Sequence, residues 1–274
     1  MLVDWESKTA FIHIPKNGGT TVRKTLSSVM VELSFSERKF QSMALPCIDL
    51  GHAPAAYYKN YFPELLKELQ KCKLYCLLRN PIQRFSSSVS MRLRVLNPNQ
   101  PFRYYSRSEV RDVVGDIIKY LGKNETRIFH PPEWAHIQRQ TDYIFADGAK
   151  VFEPNIFTES EISVAIEEII RALGYDSKKF ATAIHKNRSI VYSSKSFAQY
   201  VNAEPAGKIS FLKKLLMKID SRYPYIFQRE FSRQFSDILL SDEVLSFCHW
   251  YYAKDIEFYN SFVEPSGDQV RRRI

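Results

Sequence analysis

Short apolar runs alternate with stretches whose apolar residues recur every three or four positions. Residues 9–14 are apolar and β-branched and predict a buried strand. Pro15, Gly18 and Gly19 break that run. Residues 20–30 then place Val22, Leu26 and Val29 on one helical face. Residues 57–70 predict a single amphipathic helix with Tyr58, Tyr61, Phe62, Leu65, Leu66 and Leu69 inward. Lys73–Leu78 predicts a second buried strand, and Pro81 suits the first turn of the helix after it. Further helices are expected over 108–121 and 241–262, and strand-like runs over 142–146 and 150–157. Thr158 and Glu161 have capping-box spacing and open a helix that Gly174 stops. Residues 31–51, 122–141 and 175–205 predict irregular chain.

Strands alternating with helices predict an α/β fold: three layers, with a mostly parallel central sheet flanked by helices. In such sheets ligands bind at the carboxyl ends of strands. The segments after residues 14 and 78 therefore share one rim if their strands are neighbours. The fold is expected to start near residue 8, as a single domain over 1–264. Residues 265–274, with Arg271, Arg272 and Arg273, form a basic tail.

The chain has 274 residues, a size that buries a core without staples. Its net charge of +9 favours anionic partners. Nucleic acid, anionic lipid, an acidic glycan or a polyphosphorylated cofactor all qualify on charge alone. The four cysteines, Cys47, Cys72, Cys76 and Cys248, show no zinc-ligand spacing. No metal is expected, and a reducing compartment is the simpler reading. No basic segment followed by an apolar one opens the chain, and no run approaches the ~18 apolar residues of a membrane helix. A soluble, cytoplasmic protein with at most peripheral membrane contact is expected.

Two segments carry chemistry. In His13-Ile14-Pro15-Lys16-Asn17-Gly18-Gly19-Thr20-Thr21, the glycines let backbone approach a ligand and the helix start offers unpaired N–H groups. Lys16 adds a point charge. It precedes the glycines, so the loop is not the GxxxxGK[ST] pattern. The plain alternative is a glycine turn with a solvated lysine. In Arg79-Asn80-Pro81-Ile82-Gln83-Arg84-Phe85-Ser86-Ser87, Arg79 stands where a buried strand ends. A cation there needs an anionic partner. A structural carboxylate would serve as well as a ligand.

Together the two segments resemble the sulfotransferase superfamily, most closely its carbohydrate-type branch and bacterial relatives. The first is similar to the family's 5′-phosphosulfate loop, HIPKTGGTS, and the second to its 3′-phosphate motif, RDPxxRFxS. The resemblance implies a P-loop-NTPase-like sulfotransferase fold and 3′-phosphoadenosine 5′-phosphosulfate as sulfuryl donor. It implies that Lys16 and the backbone of Asn17, Gly18, Gly19, Thr20 and Thr21 hold the phosphosulfate. Arg79 and Ser87 would hold the 3′-phosphate, and Lys16 would stabilise charge on the leaving phosphate. Asn17 replaces the usual Thr, and Asn80 the usual Asp. Neither change removes a cation.

In this branch a histidine between the two motifs often serves as catalytic base, and His52 occupies that place. Imidazole suits removal of a hydroxyl proton near neutral pH. A loop histidine beside the next helix start is the plain alternative, and His13 is the rival base. Gln140-Thr141-Asp142-Tyr143 is similar to the family's PQxDY segment, with Arg139 where Pro is common. His185 to Ser189 is similar to an NxS-type loop, where Arg188 would add a 3′-phosphate contact. The implied acceptor is a hydroxyl of a saccharide or glycolipid, with no nucleic acid partner. Two other classes stay open: a nucleotide-dependent kinase-like enzyme and a non-catalytic basic module that binds glycan or nucleic acid.

Overall fold

The computed structural model describes residues 1–33, 46, 48–98, 104–176, 190–192 and 228–263. Arg188 with its neighbours, the tail and most of 175–205 lie outside the described residues. The strands are β1 (Leu2–Asp4), β2 (Thr9–Ile12), β3 (Val31–Glu32), β4 (Lys73–Leu78), β5 (Phe145–Ala146), β6 (Ala149–Lys150), β7 (Asn155–Thr158), β8 (Ile190–Tyr192) and β9 (Gln228–Glu230). The helices used below are α1 (Gly19–Leu26), α2 (Ala55–Tyr61), α3 (Pro63–Gln70), α4 (Pro81–Leu96), α5 (Arg107–Lys123), α6 (Ile162–Ala172), then Asp242–Tyr251 and Ala253–Val263.

The chain divides into two compact units. One comprises the described residues within 1–84, 125–187 and 249–274, the other those within 85–124 and 188–248. The first holds a five-stranded sheet in the order β3-β1-β2-β4-β7. β2, β4 and β7 pair in parallel, while β1 pairs antiparallel with both β2 and β3. The sheet is therefore mixed rather than mostly parallel, and it starts at residue 2 rather than near residue 8. The cause is a tight reversal in which the Ser7 N–H donates to the Asp4 carboxylate at 2.9 Å and Lys8 takes φ 52°. That turn folds Leu2 and Val3 onto β2, where both are buried.

Period two sorts the side chains of each strand onto opposite faces. Ala10, Ile12, Leu74, Cys76 and Leu78 join Tyr57 and Tyr58 of α2 and Leu66 and Leu69 of α3 in one cluster. Phe11, Tyr75, Leu77 and Phe157 join Val22 and Leu26 of α1 and Ala165, Ile166, Ile169 and Ile170 of α6 in another. Each fully buried Leu or Ile contributes about 1.5–3 kcal/mol. These two clusters flank the sheet with helices.

The single helix expected over 57–70 is two. Pro63 cannot follow a helical residue easily, and Phe62 before it sits at φ −138°, ψ 55°. The terminal helix expected over 241–262 is likewise two, Asp242–Tyr251 and Ala253–Val263. The expected loop 122–141 contains a 3-10 turn, Pro132–Ile137, that buries Ala135 and Ile137. Thr158 and Glu161 do form the capping box. In the second unit, α5 starts on a Ser106–Glu109 capping box and buries Val110, Val113, Val114, Ile117 and Leu121. There β8 and β9 pair antiparallel, and the Tyr105 and Phe231 rings meet edge to face. Among the described residues no helix is long and apolar enough to cross a membrane.

Candidate active site

The rim expected from the sequence exists, because β2 and β4 are parallel neighbours with Ile12 opposite Cys76. Both strands therefore deliver their following loops to the same edge of the sheet. After β2, Lys16 takes a left-handed conformation at φ 68° and Gly18 does so at φ 86°. Gly18 is the N-cap of α1, which has no side-chain cap bond and no acidic residue in its first turn. The positive end of α1 is a place that would suit an anion. Lys16 is half-buried beside it, and Thr20 is exposed.

Asn17 is turned inward. Its Nδ2 donates to the Leu77 carbonyl at 2.7 Å and to Gln140 Oε1 at 2.6 Å. What it can offer a ligand is its backbone. Arg84, also buried, donates from Nε to the Pro15 carbonyl at 3.0 Å and so props the loop from below.

Arg79 Nη1 donates to the Lys16 carbonyl at 3.4 Å. The two loops therefore touch, and two cationic residues share one rim. Arg79 Nε lies 3.8 Å from Glu159 Oε1, yet it is buried and makes no hydrogen bond. Burial lowers the Arg79 pKa, with Glu159 opposing. The structural carboxylate that the sequence left open is present, but the guanidinium keeps an unused donor that would suit an anion. Asn80 Oδ1 accepts from the N–H groups of Ile82 and Gln83 at 3.0 and 3.3 Å. The Asn80 amide thus caps α4. Ser87 is half-buried further along α4, in the part that belongs to the second unit.

His52 closes a 3-10 turn, Leu50–His52, in which Asp49 Oδ1 accepts from the Gly51 N–H at 3.0 Å. His52 Nδ1 lies 3.2 Å from the His13 carbonyl oxygen. A carbonyl only accepts, so Nδ1 carries the proton and Nε2 keeps its lone pair. Nε2 lies 3.9 Å from Asp49 Oδ2, within reach to balance an imidazolium. Burial lowers the His52 pKa, partly offset by Asp49. His13 is lowered well below the usual histidine range, again chiefly by burial.

The His13 ring meets the His52 ring edge to face at 4.5 Å, and His136 meets His52 from another side at 5.6 Å. His13 also packs on Gly19, where a β-carbon would collide with its ring. One imidazole therefore separates the glycine loop from the candidate base. A Gly19→Ala variant is expected to lose about 1–3 kcal/mol, the usual cost of overpacking. Thermal denaturation would register this as a Tm lower by several degrees. An unchanged Tm would contradict the packing described.

The sequence singled out Lys16, Asn17, Arg79 and His52, and the structure brings them to one rim of the first unit. It did not single out Asp255, Glu159 or His136. Glu159 was hidden by the capping box, in which Glu161 acts as the partner. Asp255 lay inside the single helix expected over 241–262, and only the break after Tyr251 puts it in the first turn of the helix Ala253–Val263. Among the described residues no group of three or more His, Cys, Asp or Glu side chains could hold a metal ion. Compared with family models, with curated proteins and with solved structures, the chain finds no match.

Proposed function

We propose that the protein is a sulfotransferase that uses 3′-phosphoadenosine 5′-phosphosulfate and a sulfotransferase-type P-loop-like fold. Its acceptor is a hydroxyl group of a saccharide or glycolipid. The observation that carries this reading is the contact of the Lys16 and Arg79 loops at the ends of two paired parallel strands, with the His52 ring against the His13 carbonyl that precedes the Lys16 loop. The uncapped start of α1 and the unused Arg79 Nε both favour a ligand with more than one anionic group.

When bound, the nucleotide supplies the sulfuryl group and leaves as adenosine 3′,5′-bisphosphate. Lys16 and the backbone of Asn17 to Thr21 hold the phosphosulfate end, and Arg79 holds the 3′-phosphate. His52 Nε2 takes the proton of the acceptor hydroxyl as its oxygen bonds to sulfur. The Asp49 carboxylate balances the imidazolium so formed. Lys16 and the helix start balance the charge that grows on the departing phosphate. Positioning plus electrostatics supply the rate enhancement, as in phosphoryl transfer.

Two measurements test this. Calorimetry is expected to show adenosine 3′,5′-bisphosphate binding at least about tenfold more tightly than ATP·Mg²⁺. Incubation with radiolabelled sulfuryl donor and a panel of saccharides, glycolipids and phenols is expected to label a hydroxyl acceptor. Preference for ATP·Mg²⁺ would favour a kinase-like enzyme instead. Binding of neither nucleotide would leave a basic module.

A further inference from the structure

Pairing between β2 and β4 ends at Ile12 and Cys76, short of both cations. Side-chain bonds beyond the sheet fix the distance between the Lys16 and Arg79 loops, and the side chain of Gln140 adds to the Arg79–Lys16, Asn17–Leu77 and Arg84–Pro15 bonds. Its Oε1 accepts from Asn17 Nδ2 at 2.6 Å and from the Arg79 N–H at 3.0 Å. Its Nε2 donates to the Arg79 carbonyl at 2.9 Å. One amide therefore grips the residue after Lys16 and both backbone groups of Arg79. Gln140 is 1% exposed, so water does not compete for these bonds.

The grip is itself anchored. The Gln140 N–H donates to Asp255 Oδ2 at 2.7 Å. The Thr141 N–H and hydroxyl donate to Asp255 Oδ1 at 2.9 and 2.8 Å. Asp255 is also 1% exposed and belongs to the helix Ala253–Val263. The carboxylate accepts three bonds, which hold the turn carrying Gln140 in a single place.

We propose that Gln140 is a positioning residue that sets the separation of the two anion-binding loops, so that the protein selects a nucleotide with two separated phosphates over one with a single phosphate. The proposal rests on the sulfotransferase reading of those loops. Its physics is that of two-point binding. The second phosphate binds at high effective concentration only where its site is already at the matching distance. A loose pair of loops makes the ligand supply the ordering cost. A ligand with one phosphate meets one loop and is indifferent to the spacing.

The test compares adenosine 3′,5′-bisphosphate with adenosine 5′-phosphate and adenosine 3′-phosphate by calorimetry. The native protein is expected to prefer the bisphosphate by about a hundredfold, within the range two linked sites produce. Gln140→Ala is expected to weaken the bisphosphate by about tenfold or more and each monophosphate by less than about threefold. The preference then collapses while single-site affinity stays. Asn17→Ala removes the bonds of the Lys16 loop to Gln140 and to the Leu77 carbonyl and is expected to lower the preference in the same direction. It decides the matter if Gln140→Ala does not fold. Equal loss for all three nucleotides, or an unchanged preference in the variant that folds, overturns the proposal. A native protein with no preference for the bisphosphate overturns the underlying reading instead.

Discussion

Lys16→Ala is expected to lower sulfuryl transfer by about a thousandfold and to weaken adenosine 3′,5′-bisphosphate binding in the same protein. The rate figure follows from removing a preorganised group aimed at charge that grows in the transition state, which costs about 10²–10³ for a neutral donor. A full cation, as with an arginine finger, carries about 10³–10⁵. The variant is a clean probe because of the backbone. Lys16 is left-handed at φ 68°. A left-handed residue with a β-carbon is strained by about 1–2 kcal/mol, and alanine keeps that β-carbon. The strain therefore cancels between the two proteins, and what is removed is the side chain beyond the β-carbon with its charge. The thermal midpoint should stay close to native while donor binding and turnover fall together. Turnover within tenfold of native would exclude Lys16 from the reaction.

His52→Ala is expected to separate the two readouts. Turnover should fall by about 10²–10⁴, the usual worth of a positioned base, with bisphosphate affinity unchanged. The pH profile adds a sharper check. Burial lowers the His52 pKa from its ordinary 6.5. The base works when neutral, so activity is lost as pH falls through that lowered pKa. The acid limb of kcat/KM therefore lies below 6.5, and the rate is flat across neutrality. Asp49 is the charge that raises this pKa, so Asp49→Asn is expected to push the limb to still lower pH. The amide oxygen of the variant can still accept from the Gly51 N–H, so the turn survives. Full activity in His52→Ala, or a limb that moves upward in Asp49→Asn, would sink the assignment.

The pieces of this site differ in how plainly the sequence announces them. Lys73–Leu78 and the helix from Pro81 were legible because their apolar periods are long and their boundaries are marked by proline and charge. The hairpin of Leu2 to Asp4 was not, since three residues carry too little period to register. The break at Phe62 was legible in principle from Pro63, but the apolar stripe runs through it and outvotes the proline. The loop around Lys16 and the strand end at Arg79 were legible as separate anion sites. Their contact followed only once β2 and β4 were known to be neighbours. Gln140 and Asp255 lie 115 residues apart in sequence, and nothing local to either points to the other. Buried polar networks of this kind are set by tertiary packing, which a single sequence records only as isolated polar residues in apolar company. His136 is similar: its place beside His52 depends on a 3-10 turn in a stretch without apolar period.

Asp255 has a consequence for the order in which the protein becomes competent. Lys16 and Arg79 leave the ribosome before Asp255, with the strands that carry them. The carboxylate that fixes the turn between them belongs to the helix Ala253–Val263, made after both. Domains fold broadly from the N-terminus as they emerge. A nascent chain therefore holds both cationic loops before the tie that sets them can form. The tie is complete only when the helix docks and Asp255 closes on Gln140 and Thr141. Chains truncated before residue 255 keep Lys16, Arg79 and Gln140 but lack the carboxylate that holds the turn.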